Sequence, residues 1–211
     1  MSPTAIRLCG LAGLLGALSM FLGDMLFYGQ WGDGQTGMQH LDIVRQTDPQ
    51  RLAWGGLTSV TGGIGYALGA VHVFGRLSAR YSWTRVLVSG GFLILAIFAA
   101  TTHAVWGSFA LSIRTDSASA EVVGDYLATY FRYGGYAGIP TSLLLAAAIL
   151  ARRTRWPVWF VLINPGAIYF TLVSATYLPA PLGAAIIGGA FNLAFALFYG
   201  ISLLVPIKPV R

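Results

Sequence analysis

Asp24 is the residue from which chemistry would start. It interrupts the apolar stretch 8–28 about one helical turn before its end, with Phe21, Phe27 and Tyr28 on the same side of a helix. An ionisable group placed there is costly unless it faces a partner or a wet cavity. A partly desolvated carboxylate could hold a proton at neutral pH, which is the profile of a general acid. The plainer alternative is an aspartate that reaches interfacial water or pairs with Arg132.

Other residues could join it. His103 and Trp106 are i,i+3 neighbours near the end of the apolar stretch 86–106. Glu121, Asp125, Thr129, Arg132 and Tyr136 recur at helical spacing and form one polar stripe, with Tyr126, Tyr130 and Tyr133 beside it. An Asp125–Arg132 couple at a cavity mouth is one reading of the stripe; a snorkelling arginine is the other. Asn164-Pro165 falls near the middle of the stretch 156–177, where proline frees the Val161 carbonyl. A broken backbone at that depth needs a cavity or a partner. Asn192 reads more simply as a hydrogen bond to a neighbouring helix.

These residues assemble into one expectation. Asp24 is the proton donor or acceptor, with His103, Asp125 and Arg132 tuning it or orienting substrate. Tyr28, Trp31, Trp106, Tyr130, Tyr133, Asn164 and Tyr169 line the pocket. Aromatic faces stabilise cations, so acid-started isomerisation or cyclisation of a small lipophilic, isoprenoid- or lipid-like molecule is the reaction expected. The competing class is a non-catalytic transporter or lipid-binding protein, which needs a polar path past Asn164 and Asn192 towards His72. A third is a structural subunit in which Asp24 and Arg132 simply pair.

No cofactor or metal is expected. His40, His72 and His103 show no HxxxH or HExxH spacing that would fix two ligands on one helix. Lys208 is the sole lysine and lies in the tail, so no buried amine can form a Schiff base. Gly62, Gly65 and Gly69 do not fit a nucleotide loop. They share a helix face with Thr58, His72 and Arg76, and small residues let helices approach closely in lipid. Gly13 with Ala17, and Gly134 with Gly138, read the same way, and such faces could also join copies of the chain.

The elements that position these residues follow from composition. Of 211 residues 56% are hydrophobic and 9% charged, against roughly 25% charged in a soluble domain. That excludes a water-soluble globule and a nucleic-acid-binding module; the fold expected is an all-α membrane helix bundle, one domain over 1–211. A spanning helix needs about 20 apolar residues, and six stretches qualify: 8–28, 52–75, 86–106, 122–151, 156–177 and 182–205. Arg7, Arg76, Arg80, Arg85, Arg152, Arg153, Arg155, Lys208 and Arg211 fall at one set of ends, which puts both termini in the cytoplasm of a cell membrane, bacterial by expectation. All 7 acids lie towards the outer side. Of the outer loops, 29–51 carries Met38, Leu41 and Val44 at helical spacing with Asp42/Arg45 and Asp48/Arg51 pairs, a short interfacial helix or a lid; 107–121 gives no clear signal. Residues 178–181 make a tight turn between the last two spans. With Cys9 as the sole cysteine no intrachain disulfide can form.

The run Gly23-Asp24-Met25-Leu26-Phe27-Tyr28-Gly29 resembles a motif of uncharacterised bacterial six-helix membrane proteins. The resemblance covers seven residues and implies no activity. Membrane-embedded terpene cyclases and sterol isomerases are similar in size and aromatic richness only, and the paired histidines of ceramidase-type and adiponectin-receptor-type hydrolases are absent.

Overall fold

A computed structural model describes residues 1–29, 40–114, 119–174, 186 and 188–207. In these the chain is helical: α1 (Pro3–Tyr28), α2 (His40–Gln46), α3 (Pro49–Arg76), α4 (Ser82–Arg114), α5 (Ser119–Leu150), a 3₁₀ segment (Val158–Ile163), α6 (Pro165–Ser174) and α7 (Ala190–Leu204). Four helices are long and apolar enough to cross a membrane: Pro3–Tyr28, Pro49–Arg76, Ser82–Arg114 and, within α5, Val122–Leu150. Helices α6 and α7 are apolar but shorter. Trp31, Asp33, Asp116, Lys208, Arg211 and the turn 178–181 lie outside the described residues.

Local chemistry sets the helix ends. Ser2 accepts from the Ala5 N–H and Pro3 occupies the first turn of α1, a proline position that loses no internal hydrogen bond. Asp48 does the same for α3, accepting from Gln50 and Arg51 N–H at 2.8 and 3.2 Å ahead of Pro49. The Arg51 guanidinium therefore does not serve Asp48. It turns to α1 and donates to the Met25 and Gly29 carbonyls at 2.7 and 2.6 Å, capping that C-terminus.

Helices α1 and α3 form the tightest pair. A Cβ placed on Gly16 would lie 2.7 Å from Gly65 Cα, and one on Gly13 would lie 2.9 Å from Gly69 Cα. The backbones touch, so these glycine faces are consumed inside one chain. Helices α4 and α7 add Phe92, Phe195, Phe198 and Tyr199, which form an aromatic layer with Tyr66 of α3. The segment Val44 on α2 packs with Phe27, Leu52, Phe109 and Leu127 in a second cluster.

Three expectations need correction. The stretch 156–177 is not one helix. Pro165 cannot continue the preceding turn, so it begins α6, while Asn164 Oδ1 accepts from the Gly166 N–H at 2.9 Å as its cap. Residues 107–114 are not loop but two further turns of α4, whose Arg114 donates to the Arg45 and Thr47 carbonyls. Gly134 and Gly138 do not pack against a helix backbone. A Cβ on either would meet one side-chain atom, of Phe98 at 3.9 Å and Leu95 at 3.6 Å respectively, and on Gly135 nothing within 4 Å. The gap these glycines leave is part of a cavity.

Candidate functional site

Where α1, α3, α4 and α7 converge, four buried polar side chains meet. Asp24 sits one turn before the end of α1, His103 in α4, Asn192 near the start of α7, and Tyr66 in α3; each is at most 6% exposed. Asp24 can lie here because Gly23 precedes it: a side chain at Gly23 would strike the Thr58 hydroxyl and approach His103.

The hydrogen bonds constrain where protons sit. Thr58 directs its hydroxyl hydrogen to the Gly55 carbonyl at 2.6 Å, so its oxygen accepts from His103 Nδ1, 3.5 Å away, and that nitrogen carries a hydrogen. Tyr66 donates to Asn192 Oδ1 at 2.7 Å, which turns Nδ2 towards Asp24 Oδ2 at 2.8 Å. His103 Nε2 lies 3.1 Å from Asp24 Oδ1. One further proton decides the state of this pair. On Nε2 it makes an imidazolium beside a carboxylate; on Oδ1 it makes a neutral acid beside a neutral imidazole. Asn192 Nδ2, 3.2 Å from Nε2, is attractive to that nitrogen only when it carries no hydrogen.

The pair forms part of the wall of a cavity of about 950 Å³ bounded by α1, α4, α5, α6 and α7. The volume falls within the range of small-molecule sites. Most of the wall is Leu, Ala, Gly, Phe and Val, with Phe27, Tyr28, Trp106, Tyr130, Tyr169 and Phe191 among the aromatics. The Phe27 ring lies 5.8 Å from the His103 ring. Gly188, at φ +79°, packs under Tyr28 where a side chain would collide with the ring.

Of the residues expected at the site, Asp24, His103, Tyr28, Trp106, Tyr130, Asn164 and Tyr169 line this cavity. Asp125, Arg132 and Tyr133 stand on α5 outside its wall and are exposed. The polar stripe therefore does not meet Asp24, and Asp24 pairs with His103 rather than Arg132. Trp31 lies outside the described residues. Asn164 has both amide groups engaged in structure, Oδ1 at the start of α6 and Nδ2 on the Ser142 carbonyl at 2.8 Å. Asn192 makes the expected hydrogen bonds to neighbouring helices, through Tyr66 and Asp24; Tyr66 and Thr58 are not among the expected site residues. Their signal in the sequence is no more than a polar group within an apolar helix.

A second polar knot closes the opposite end. His72 Nδ1 donates to the Ile6 carbonyl at 2.7 Å, and its Nε2 accepts from Ser202, which accepts in turn from Trp156 Nε1 at 2.8 Å. Arg76 donates to the Ser202, Val205 and Pro206 carbonyls. Every polar atom of His72 is satisfied. Between His72 and Asn192 lie the rings of Tyr66, Phe195 and Tyr199. Among the described residues no three His, Cys, Asp or Glu side chains group as a metal site would require.

Among the described residues, fold and site together define a helical protein with four helices long and apolar enough to cross a membrane and a buried acid–imidazole pair beside a largely apolar cavity. The chain belongs to a family of unknown function, DUF6796, whose model matches residues 1–209. No curated protein and no solved structure matches it.

Proposed function

We propose that this protein is a membrane enzyme that moves protons on a small lipophilic molecule, with Asp24 and His103 as the acid–base pair. The observation that carries the reading is the 3.1 Å contact of Asp24 Oδ1 with His103 Nε2 at a largely apolar cavity. Asp24 delivers a proton to an unsaturated carbon, and the cation formed faces aromatic rings that favour positive charge. A neighbouring carbon then loses a proton to the pair. Proton gained equals proton lost, so the product is an isomer with a shifted double bond or a new ring. Asn192 and Thr58 hold the pair's geometry, which general acid–base catalysis requires.

The reading includes a six-span arrangement with both termini on the cytoplasmic side of a cell membrane, in which 3₁₀ segment plus α6, and α7, serve as the fifth and sixth crossings. The arginines support it. Ser78 N–H donates to the Arg153 carbonyl at 2.9 Å and Arg155 N–H to the Arg76 carbonyl at 2.7 Å, so the connections carrying Arg76, Arg80, Arg85, Arg152, Arg153 and Arg155 share one end. Clustered basic residues mark a cytoplasmic face. On this reading the Gly23–Gly29 motif is the piece that builds the acid.

The test is extraction and mass spectrometry of small molecules that co-purify with wild-type protein and with Asp24→Asn. The variant should retain a lipophile that wild-type protein, on incubation, converts to a species of equal mass and altered retention. A co-purified lipophile that wild-type protein returns unchanged favours the non-catalytic binder instead.

A further inference from the structure

We propose that the cavity takes its substrate sideways from the bilayer, through a cleft between α5 and α6, as a lipid with one uncharged polar end. This rests on the reading that the Asp24–His103 pair acts on a lipophilic molecule, and it names the class and route of that molecule.

The cleft follows from how the helices lean. Helix α5 packs on α4, and α6 packs on α7. The two meet at Ser142, where Asn164 Nδ2 donates to the Ser142 carbonyl at 2.8 Å and a Cβ on Gly166 would lie 2.6 Å from Ser142 Oγ. Beyond that contact they separate. Gly138, Gly135 and Gly134 follow along α5, and no α6 atom comes within 4 Å of a Cβ built on any of them. From Ser142 to Tyr130, both in the cavity wall, the α5 side of the cavity runs about 18 Å at the helical rise per residue.

The rim is apolar and accessible. Ile139 and Leu143 on α5 and Phe170 on α6 line the cavity yet are 55%, 65% and 62% exposed. Large exposed apolar side chains around an opening are unusual on a surface that meets water and ordinary on one that meets acyl chains. A ligand arriving through them is already dissolved in the bilayer. Its polar end then meets Asp24, His103 and Asn192 on α1, α4 and α7.

The wall also limits that polar end. No lysine or arginine is among the described lining residues. A phosphate or diphosphate would sit uncompensated in an apolar space, at a large desolvation cost. A hydroxyl, carbonyl or ether has no such cost and finds both donors and acceptors at the pair. The occupant is therefore a neutral alcohol-, ketone- or ether-type lipid whose apolar body is up to about 18 Å long.

The experiment reconstitutes the full chain in phosphatidylcholine vesicles with a diazirine-bearing farnesol as photoprobe, followed by peptide mapping. Adducts should fall on 134–143 of α5 and 170–173 of α6. Gly138→Trp and Gly135→Trp fill the cleft and should lower labelling about tenfold, equivalent to ~1.4 kcal/mol of lost binding. Gly135→Trp serves as the second variant because its Cβ touches nothing. In Asp24→Asn the adducts, whatever their yield, should fall on the same α5 and α6 peptides while turnover is lost, so a failure of the catalytic reading shows in turnover and leaves the adduct positions in place. Adducts elsewhere, or undiminished labelling in both tryptophan variants, overturn the cleft. Equal labelling by the phosphorylated probe overturns the neutral head, and equal labelling by a short water-soluble diazirine alcohol overturns the bilayer route.

Discussion

His103 Nε2 and Asp24 Oδ1 lie 3.1 Å apart with both side chains almost wholly buried, one on α4 and the other on α1. Seventy-odd residues of chain separate them, and the contact exists because Gly23 lets α1 settle against Thr58 and His103. A single proton shared across that contact is the simplest account of why two ionisable groups are kept beside an apolar cavity.

Asp24→Asn preserves shape and hydrogen bonding but holds no exchangeable acid. Turnover of the co-purified molecule should fall by roughly 10²-fold or more, with the thermal unfolding midpoint in detergent little changed. His103→Gln should behave alike. Wild-type turnover in either variant would remove the pair from the mechanism.

Tyr66→Phe removes the donor that fixes Asn192, leaving Oδ1 buried without a partner. The expected loss is about 1–3 kcal/mol of stability, read by thermal unfolding. Turnover should drop less than in Asp24→Asn, because the amide still occupies its place although its orientation is freed. A stability equal to wild type would mean that Tyr66 does not hold the amide.

The glycines divide by what surrounds them. Gly16→Val and Gly65→Val set a branched side chain against a facing backbone, and folded yield should collapse, since neither helix can retreat from the other. Gly135→Ala meets nothing within 4 Å and should be neutral or stabilising by up to about 1 kcal/mol from helix propensity alone. Folded yield by size-exclusion chromatography and thermal scans of the variants separates the two groups.

His72→Phe tests whether the second polar knot takes part in function. It loses hydrogen bonds to Ile6 and Ser202, so stability should fall by about 1–3 kcal/mol while turnover per folded molecule stays the same. A transporter with a polar path through His72 predicts loss of uptake into vesicles at unchanged stability, the opposite pattern.

Much of this architecture is legible in the residues. Apolar length alone marks the four helices long enough to cross a membrane but not the break at Pro165, and Asp24 and His103 draw notice as ionisable groups in apolar runs. Their pairing is not legible, because periodicity relates residues on one helix and says nothing about which faces meet. The same limit explains Asp125 and Arg132: spacing places them on one stripe of α5 but not that the stripe turns outward. The two asparagines show the same limit. Asn164 lines the cavity beside a proline that starts a helix, and Asn192 bonds neighbouring helices as its place in an apolar helix suggests, but nothing in the spacing says that the group it meets is Asp24. Gly134 and Gly138 carry the small-residue spacing of a helix contact, and only the position of α6 reveals that they leave open space.

The knot at His72 has a consequence for the chain as a thread. One imidazole holds Ile6 of α1 and Ser202 of α7, so a single side chain staples together the described helices that lie farthest apart in sequence.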